Sequence, residues 1–210
     1  MRSALLICGI LSAVIYVATD VAAGILYPGF SFTAQAVSEL FALGAPTSRL
    51  VVPLFSLSSA LLMAFALGIW SSSGHGRPLR FMALAMLASA LVGLILWSFF
   101  PMHMRGAART FTDTMHLILA TNPFVLLSLA FAVAAFRGGF RLYTVATILI
   151  VTLPALFAFQ YAPEIERNQP TPGLGLAERV AQYGYLLWQV TLATVLLREQ
   201  RASPYSRSSG

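Results

Sequence analysis

Six apolar stretches, each about as long as the ~20 residues an α-helix needs to cross a bilayer, alternate along the chain with short segments that hold most of its charge. The pattern predicts membrane-spanning helices over residues 4–26, 49–70, 79–100, 113–136, 142–161 and 176–197. The fold class that follows is all-α: a polytopic membrane protein, a six-transmembrane-helix bundle. Between helices one and two, residues 33–43 carry Gln35, Ser38 and Glu39 at helical spacing and predict a short helix lying in the interface, stopped by Ala45-Pro46. Tyr16, Asp20 and Gly24, four apart, should face the bundle interior. So should Glu178, Gln182, Tyr185 and Gln189 on helix six. Ala85, Ser89 and Gly93 form a small-residue seam, and Asn122-Pro123 predicts a kink whose freed carbonyls need other partners.

Composition sharpens this picture. The 210 residues are 58% hydrophobic and 10% charged, against ~25% charged in a soluble domain. The spans consume almost the whole length, so one membrane domain over residues 1–197 is expected, with a disordered Arg- and Ser-rich tail over 198–210. The first run has some features of a signal peptide, Arg2 before an apolar stretch and small residues near Ala22-Ala23-Gly24. Its length favours a retained helix. The net charge of +6 resides in arginines spread over short loops, which argues against nucleic-acid binding. Cys8 is the one cysteine and reads as apolar filler.

The distribution of charge sets an expected orientation. Arg2, Arg77, Arg80, Arg137, Arg141, Arg198, Arg201 and Arg207 share one side with Glu199 as its acid. By the positive-inside rule that side is cytoplasmic, with both termini. The opposite side gathers Asp20, Glu39, Asp113, Glu164, Glu166 and Glu178 together with His103 and His116. His75 lies among Ser, Gly and Arg on the cytoplasmic side and carries no signal.

The candidate chemistry centres on residues 99–119, where Pro, two His, two Arg and an Asp interrupt the apolar pattern. Asp113 and His116, at i and i+3, could present oxygen and nitrogen to one divalent metal such as zinc. Equally, an acid in a first helical turn complements the dipole, and a neutral His can bond a carbonyl. Ser38, Glu39, His103, Asp113 and His116 are the candidate catalytic residues, and Asp20, Glu39, His103, Asp113 and His116 the candidate metal ligands. Ser38 and Glu39 could instead secure the backbone of their own segment. Asp20 should be paired with Arg105, Arg109 or Arg179. Glu178-Arg179 reads as a charge pair at a helix start. Gln35, Arg105, Arg109, Glu178, Arg179 and Gln182 are expected to line a binding pocket with them.

Tyr27-Pro28-Gly29-Phe30-Ser31, Val37-Ser38-Glu39-Leu40 and Gly44-Ala45-Pro46 resemble landmarks of the bacterial DUF998 membrane family. Phe100-Pro101-Met102, Arg105-Gly106, His116-Leu117 and Gly175-Leu176-Ala177-Glu178-Arg179 extend that resemblance over nearly all six helices. It implies a six-helix protein of the bacterial cytoplasmic membrane, similar in outline to the Frag1/DRAM/Sfk1-like group, without implying an activity. His103 stands where the family commonly has an acid after Phe-Pro-x, which weakens any shared metal or acid role. Two functions follow as expectations. One is binding of a membrane lipid, a small amphiphile, or a membrane partner, including a second copy, through an outward polar pocket. The other is a metal-dependent hydrolase acting on a lipid or amide at the outer leaflet. A transporter is disfavoured by the lack of an internal repeat.

Overall fold

A computed structural model of the chain describes residues 2–72 and 76–202. Among the described residues the bundle is built of eight α-helices and one 3-10 helix: α1 (Arg2–Leu26), the 3-10 helix (Val37–Phe41), α2 (Ser48–Ser71), α3 (Arg77–Phe99), α4 (Phe111–Ala120), α5 (Pro123–Ala135), α6 (Gly138–Phe159), α7 (Ala162–Glu166) and α8 (Leu174–Ala202). Six segments are long and apolar enough to cross a membrane, with α4 and α5 together forming the fourth. The chain is therefore an all-α polytopic bundle.

Several boundaries differ from the sequence pattern for identifiable reasons. The fourth span is broken, not merely kinked. Pro123 has no N–H to continue the ladder, and Asn122 takes a left-handed φ of 29° while its side-chain nitrogen reaches the Ser89 hydroxyl at 3.0 Å. The stretch expected as loop after the fifth span contains the short α7, started by Pro163 in its first turn. The last helix continues to Ala202, past the expected end at 197. His75, Ser73 and the tail beyond residue 202 lie outside the described residues.

Small residues set the closest helix approaches. On α2, Gly68 meets the backbone of α1 at Leu5 and Leu6, and Phe65 sits where a Cβ on Gly9 would lie. Ser12 and Ser58 exchange hydroxyl-to-carbonyl bonds of 2.9 and 3.0 Å across the same seam. One apolar core, containing Leu6, Phe65, Ile69, Met82, Trp188 and Leu196, joins α1, α2, α3, α5 and α8 at the arginine-rich end. A second, with Tyr16, Val37, Phe41, Val51, Phe55 and Leu186, lies toward the acidic end. There Tyr16 and Phe55 stack at 4.3 Å, and Phe41 and Phe55 both contact Trp97. The expected small-residue seam on α3 is buried at Ala85, Ser89 and Gly93.

The segment between α1 and α2 departs most from expectation. In place of an interfacial helix over 33–43, it forms a five-residue 3-10 helix sunk into the bundle, with Val37, Glu39, Leu40 and Phe41 all buried. Side chains satisfy the backbone that such burial would otherwise strand. Glu39 accepts the Ala36 N–H at 2.9 Å, Glu178 accepts that of Val37 at 2.7 Å, and Gln35 accepts that of Ser31 at 2.9 Å. The Thr47 hydroxyl returns a bond of 2.6 Å to the Leu40 carbonyl.

Candidate functional site

Two buried arginine–carboxylate pairs tie the acidic end together. Asp20, fully buried on α1, accepts Arg179 Nε at 2.9 Å and Nη2 at 2.8 Å. The Tyr183 hydroxyl, one turn along α8, also donates to Asp20. The remaining nitrogen of Arg179 donates to the carbonyls of Phe32, Gln35 and Gly175 at 2.8, 3.1 and 3.1 Å. The rings of Phe30 and Phe32 pack on the guanidinium at 5.4 and 5.0 Å. Asp20 is thus paired, as its cost in a span requires. Its partner turns away from Glu178, because adjacent residues on a helix point about 100° apart; the expected Glu178-Arg179 charge pair does not form.

The second pair joins Glu39 to Arg105 through bonds of 2.8 and 3.1 Å. Gln35 adds a third donor to Glu39 at 3.1 Å. Arg105 also reaches the Gln169 carbonyl and the Thr171 hydroxyl, both at 2.9 Å. Thr171 in turn bonds the Ala34 carbonyl at 2.6 Å. Three loops far apart in sequence are fastened to one another this way. Burial and the Glu39 carboxylate together raise the pKa of the Tyr27 phenol nearby.

The polar stretch before α4 is organised by Asp113. Thr110 caps the helix, and Asp113 returns the bond to the Thr110 N–H at 2.8 Å, a capping box. The same carboxylate accepts the Thr110 hydroxyl at 2.8 Å, the His103 N–H at 2.7 Å and His103 Nδ1 at 2.9 Å. His116, buried one turn later, donates Nδ1–H to the Phe100 carbonyl at 2.8 Å and packs on Phe41. That bond leaves Nε2 of the neutral ring as an acceptor. Arg109 and Glu166 form an ion pair between this stretch and α7.

Within the bundle lies a cavity of about 540 Å³, walled by residues of all eight α-helices described and of the 3-10 helix. Its polar wall on α8 is Glu178, Gln182, Tyr185 and Gln189, the stripe that the sequence places inward. From Glu178 to Gln189 the stripe descends about 16 Å at 1.5 Å per residue. Ser38, His103, Arg109, Asp113 and His116 reach the same cavity. Two side-chain oxygens in its wall, Asn122 Oδ1 and Gln189 Oε1, are buried with no hydrogen-bond partner among the described residues.

The candidates therefore separate into two groups. Ser38, His103, Arg109, Asp113, His116, Glu178 and Gln182 border the cavity; Asp20, Gln35, Glu39, Arg105 and Arg179 lie outside its wall, in the ion-pair networks. The five proposed metal ligands do not meet. Asp20 is held by Arg179, Glu39 by Arg105, His103 and Asp113 by each other, and His116 by a carbonyl, and no group of three His, Cys, Asp or Glu residues suited to a metal occurs among the described residues. Zinc needs at least three protein ligands, so these residues do not fit it. Sequence reasoning missed Asn122 as a polar wall residue, having read it as a kink, and missed Thr171 and Tyr183 as partners of the ion pairs. Tyr183 sits four residues after Arg179, a spacing that could have revealed it.

No curated protein and no solved structure matches the chain. The sequence model of one family, described as protein of unknown function (DUF998), matches residues 10–195. With nearly the whole bundle covered, from the middle of the first span to the last turns of the sixth, the chain belongs to the DUF998 family.

Proposed function

We propose that this protein is an amphiphile-binding protein of the bacterial cytoplasmic membrane, holding a lipid or small amphiphile in its central cavity. The cavity carries the reading. At about 540 Å³ it falls in the ~300–1,000 Å³ range of sites for drug-sized ligands, and its wall is mainly apolar with a narrow polar stripe. Such a division matches a molecule with a tail and one polar end. Access runs from the bilayer between α4 and α6. The spans containing them are the least buried of the six, at 17% each against 33–50% for the others, and α4 packs on α3 without close packing on α6 or α8.

The arginine-rich end faces the cytoplasm with both termini, in keeping with the positive-inside rule, so the acidic end faces outward. The ion pairs of Asp20 and Glu39 act as a rigid cap on that end. The hydrolase reading gains no support from this geometry, because its metal ligands are dispersed. Extraction in mild detergent followed by native mass spectrometry tests the binding reading. One bound amphiphile per chain is expected, and it should be lost on filling the cavity with Ala155→Trp. Chains that carry no amphiphile and take up none of a panel of added single-chain lipids would overturn it.

A further inference from the structure

We propose that the cavity selects a cationic amphiphile, a protonated amine on an apolar tail, with Glu178 as its counter-ion. The inference rests on the amphiphile-binding reading and names its ligand class. Four ionisable Arg, Asp or Glu side chains border the cavity, Arg109 against Asp113, Glu166 and Glu178, one basic group against three acidic ones. Arg109 is taken by Glu166, and Asp113 is satisfied by four donors from His103 and Thr110. Glu178 is different. One of its oxygens accepts the Val37 N–H, and among the described residues it has no ion-pair partner, since the neighbouring Arg179 is spent on Asp20.

A carboxylate facing a low-dielectric cavity is costly unless a cation joins it. Three further acceptors in the wall point the same way. His116 Nε2 is an acceptor once Nδ1 donates to Phe100, and the unpartnered atoms of Asn122 and of the fully buried Gln189 are both acceptors. An ammonium group brings charge and several donors to such a wall, whereas a phosphate or carboxylate headgroup would meet Glu178 and find no uncommitted arginine. The apolar side, including Leu62, Val92, Leu96, Leu117 and Val151, is left for the tail.

The test is native mass spectrometry of the full chain released from detergent and titrated separately with dodecylamine, dodecanol and dodecanoate. One dodecylamine per chain is expected, bound at least about tenfold more tightly than either other probe. Glu178→Gln keeps an acceptor for the Val37 N–H and removes the charge, and it should cost at least about tenfold in dodecylamine affinity. Gln182→Lys, one turn deeper on the same face, brings an ammonium within i+4 reach of Glu178 and should abolish the preference for dodecylamine, and it decides the matter if Glu178→Gln fails to fold. Equal or tighter binding of dodecanol or dodecanoate by the unaltered chain, unchanged amine affinity in Glu178→Gln, or a retained amine preference in Gln182→Lys would overturn the selectivity while leaving an amphiphile site standing. Failure of all three probes would overturn the amphiphile reading itself.

Discussion

Replacing Asp20 by Ala isolates the ion pair on which the acidic end depends. The carboxylate receives two bonds from Arg179 and one from Tyr183. Its loss leaves a guanidinium only 7% exposed with two donors unmet and its charge uncompensated. Removing one partner of a buried pair costs about 3–5 kcal/mol. The stranded tyrosine hydroxyl adds to this, though not additively, because it shares the same acceptor. The three carbonyls that still accept from Arg179 moderate the loss. At ~2–4 °C per kcal/mol for a chain of this size, the midpoint of thermal unfolding in detergent should fall by roughly 6–20 °C. Arg141→Ala, an exposed arginine on α6, is the control and should stay within about 0.5 kcal/mol. Combining Asp20→Ala with Arg179→Met should cost less than the sum of the two single changes, because no unpaired charge remains. A midpoint for Asp20→Ala indistinguishable from the control, or strict additivity in the double variant, would refute the reasoning.

Gly175→Ala should destabilise the chain by about 1–3 kcal/mol or more, because the added Cβ would lie 2.2 Å from the Gln35 carbonyl oxygen and 2.6 Å from that of Phe32, backbone atoms already fixed by Arg179; an unfolding midpoint equal to that of the unaltered chain would contradict this contact. Exhaustive treatment with a chelator should leave the unfolding midpoint unchanged, since no group of three His, Cys, Asp or Glu residues suited to a metal occurs among the described residues; a drop restored by zinc would show a ligand set the geometry does not contain. With Cys8 replaced by Ser, a cysteine at exposed Pro172 should react with an impermeant thiol reagent added to intact cells while one at exposed Gly139 should not; the reverse pattern would invert the orientation.

Much of the fold was legible because a bilayer leaves few options. Six apolar runs of spanning length specify six crossings, and the polar residues of α8 declare its inward face by spacing alone. Asp20 announced a partner because an unpaired carboxylate in a span is so costly. Which arginine it takes was not legible, since Arg105, Arg109 and Arg179 share its side and only the packing of α1 on α8 selects Arg179. The segment at 37–41 was read in part. A helix over 33–43 does not form, whereas the alternative in which Glu39 secures the backbone of its own segment is what the structure holds, with Gln35 adding a second bond. Asp113 and His116, in one helical turn, carried two readings in the sequence, and of these the structural one is seen, a capping carboxylate and a histidine bonded to a carbonyl. A polar pocket was expected from the sequence, but the depth of the cavity and its largely apolar wall could not be read, because they depend on where α4 fails to pack.

Photolabelling with a dodecyl chain that carries a diazirine near its end, followed by peptide mapping, tests the central cavity most directly. Residues inside it, such as Leu117 on α4, Ala155 on α6 and Ala181 on α8, are distinguishable from Ile25 and Leu142, which are 73% and 71% exposed on the bundle surface. An occupied cavity predicts saturable labelling concentrated on Leu117, Ala155 and Ala181 and suppressed by unlabelled amphiphile. Labelling confined to surface residues such as Ile25 and Leu142, rising without saturation, would contradict it.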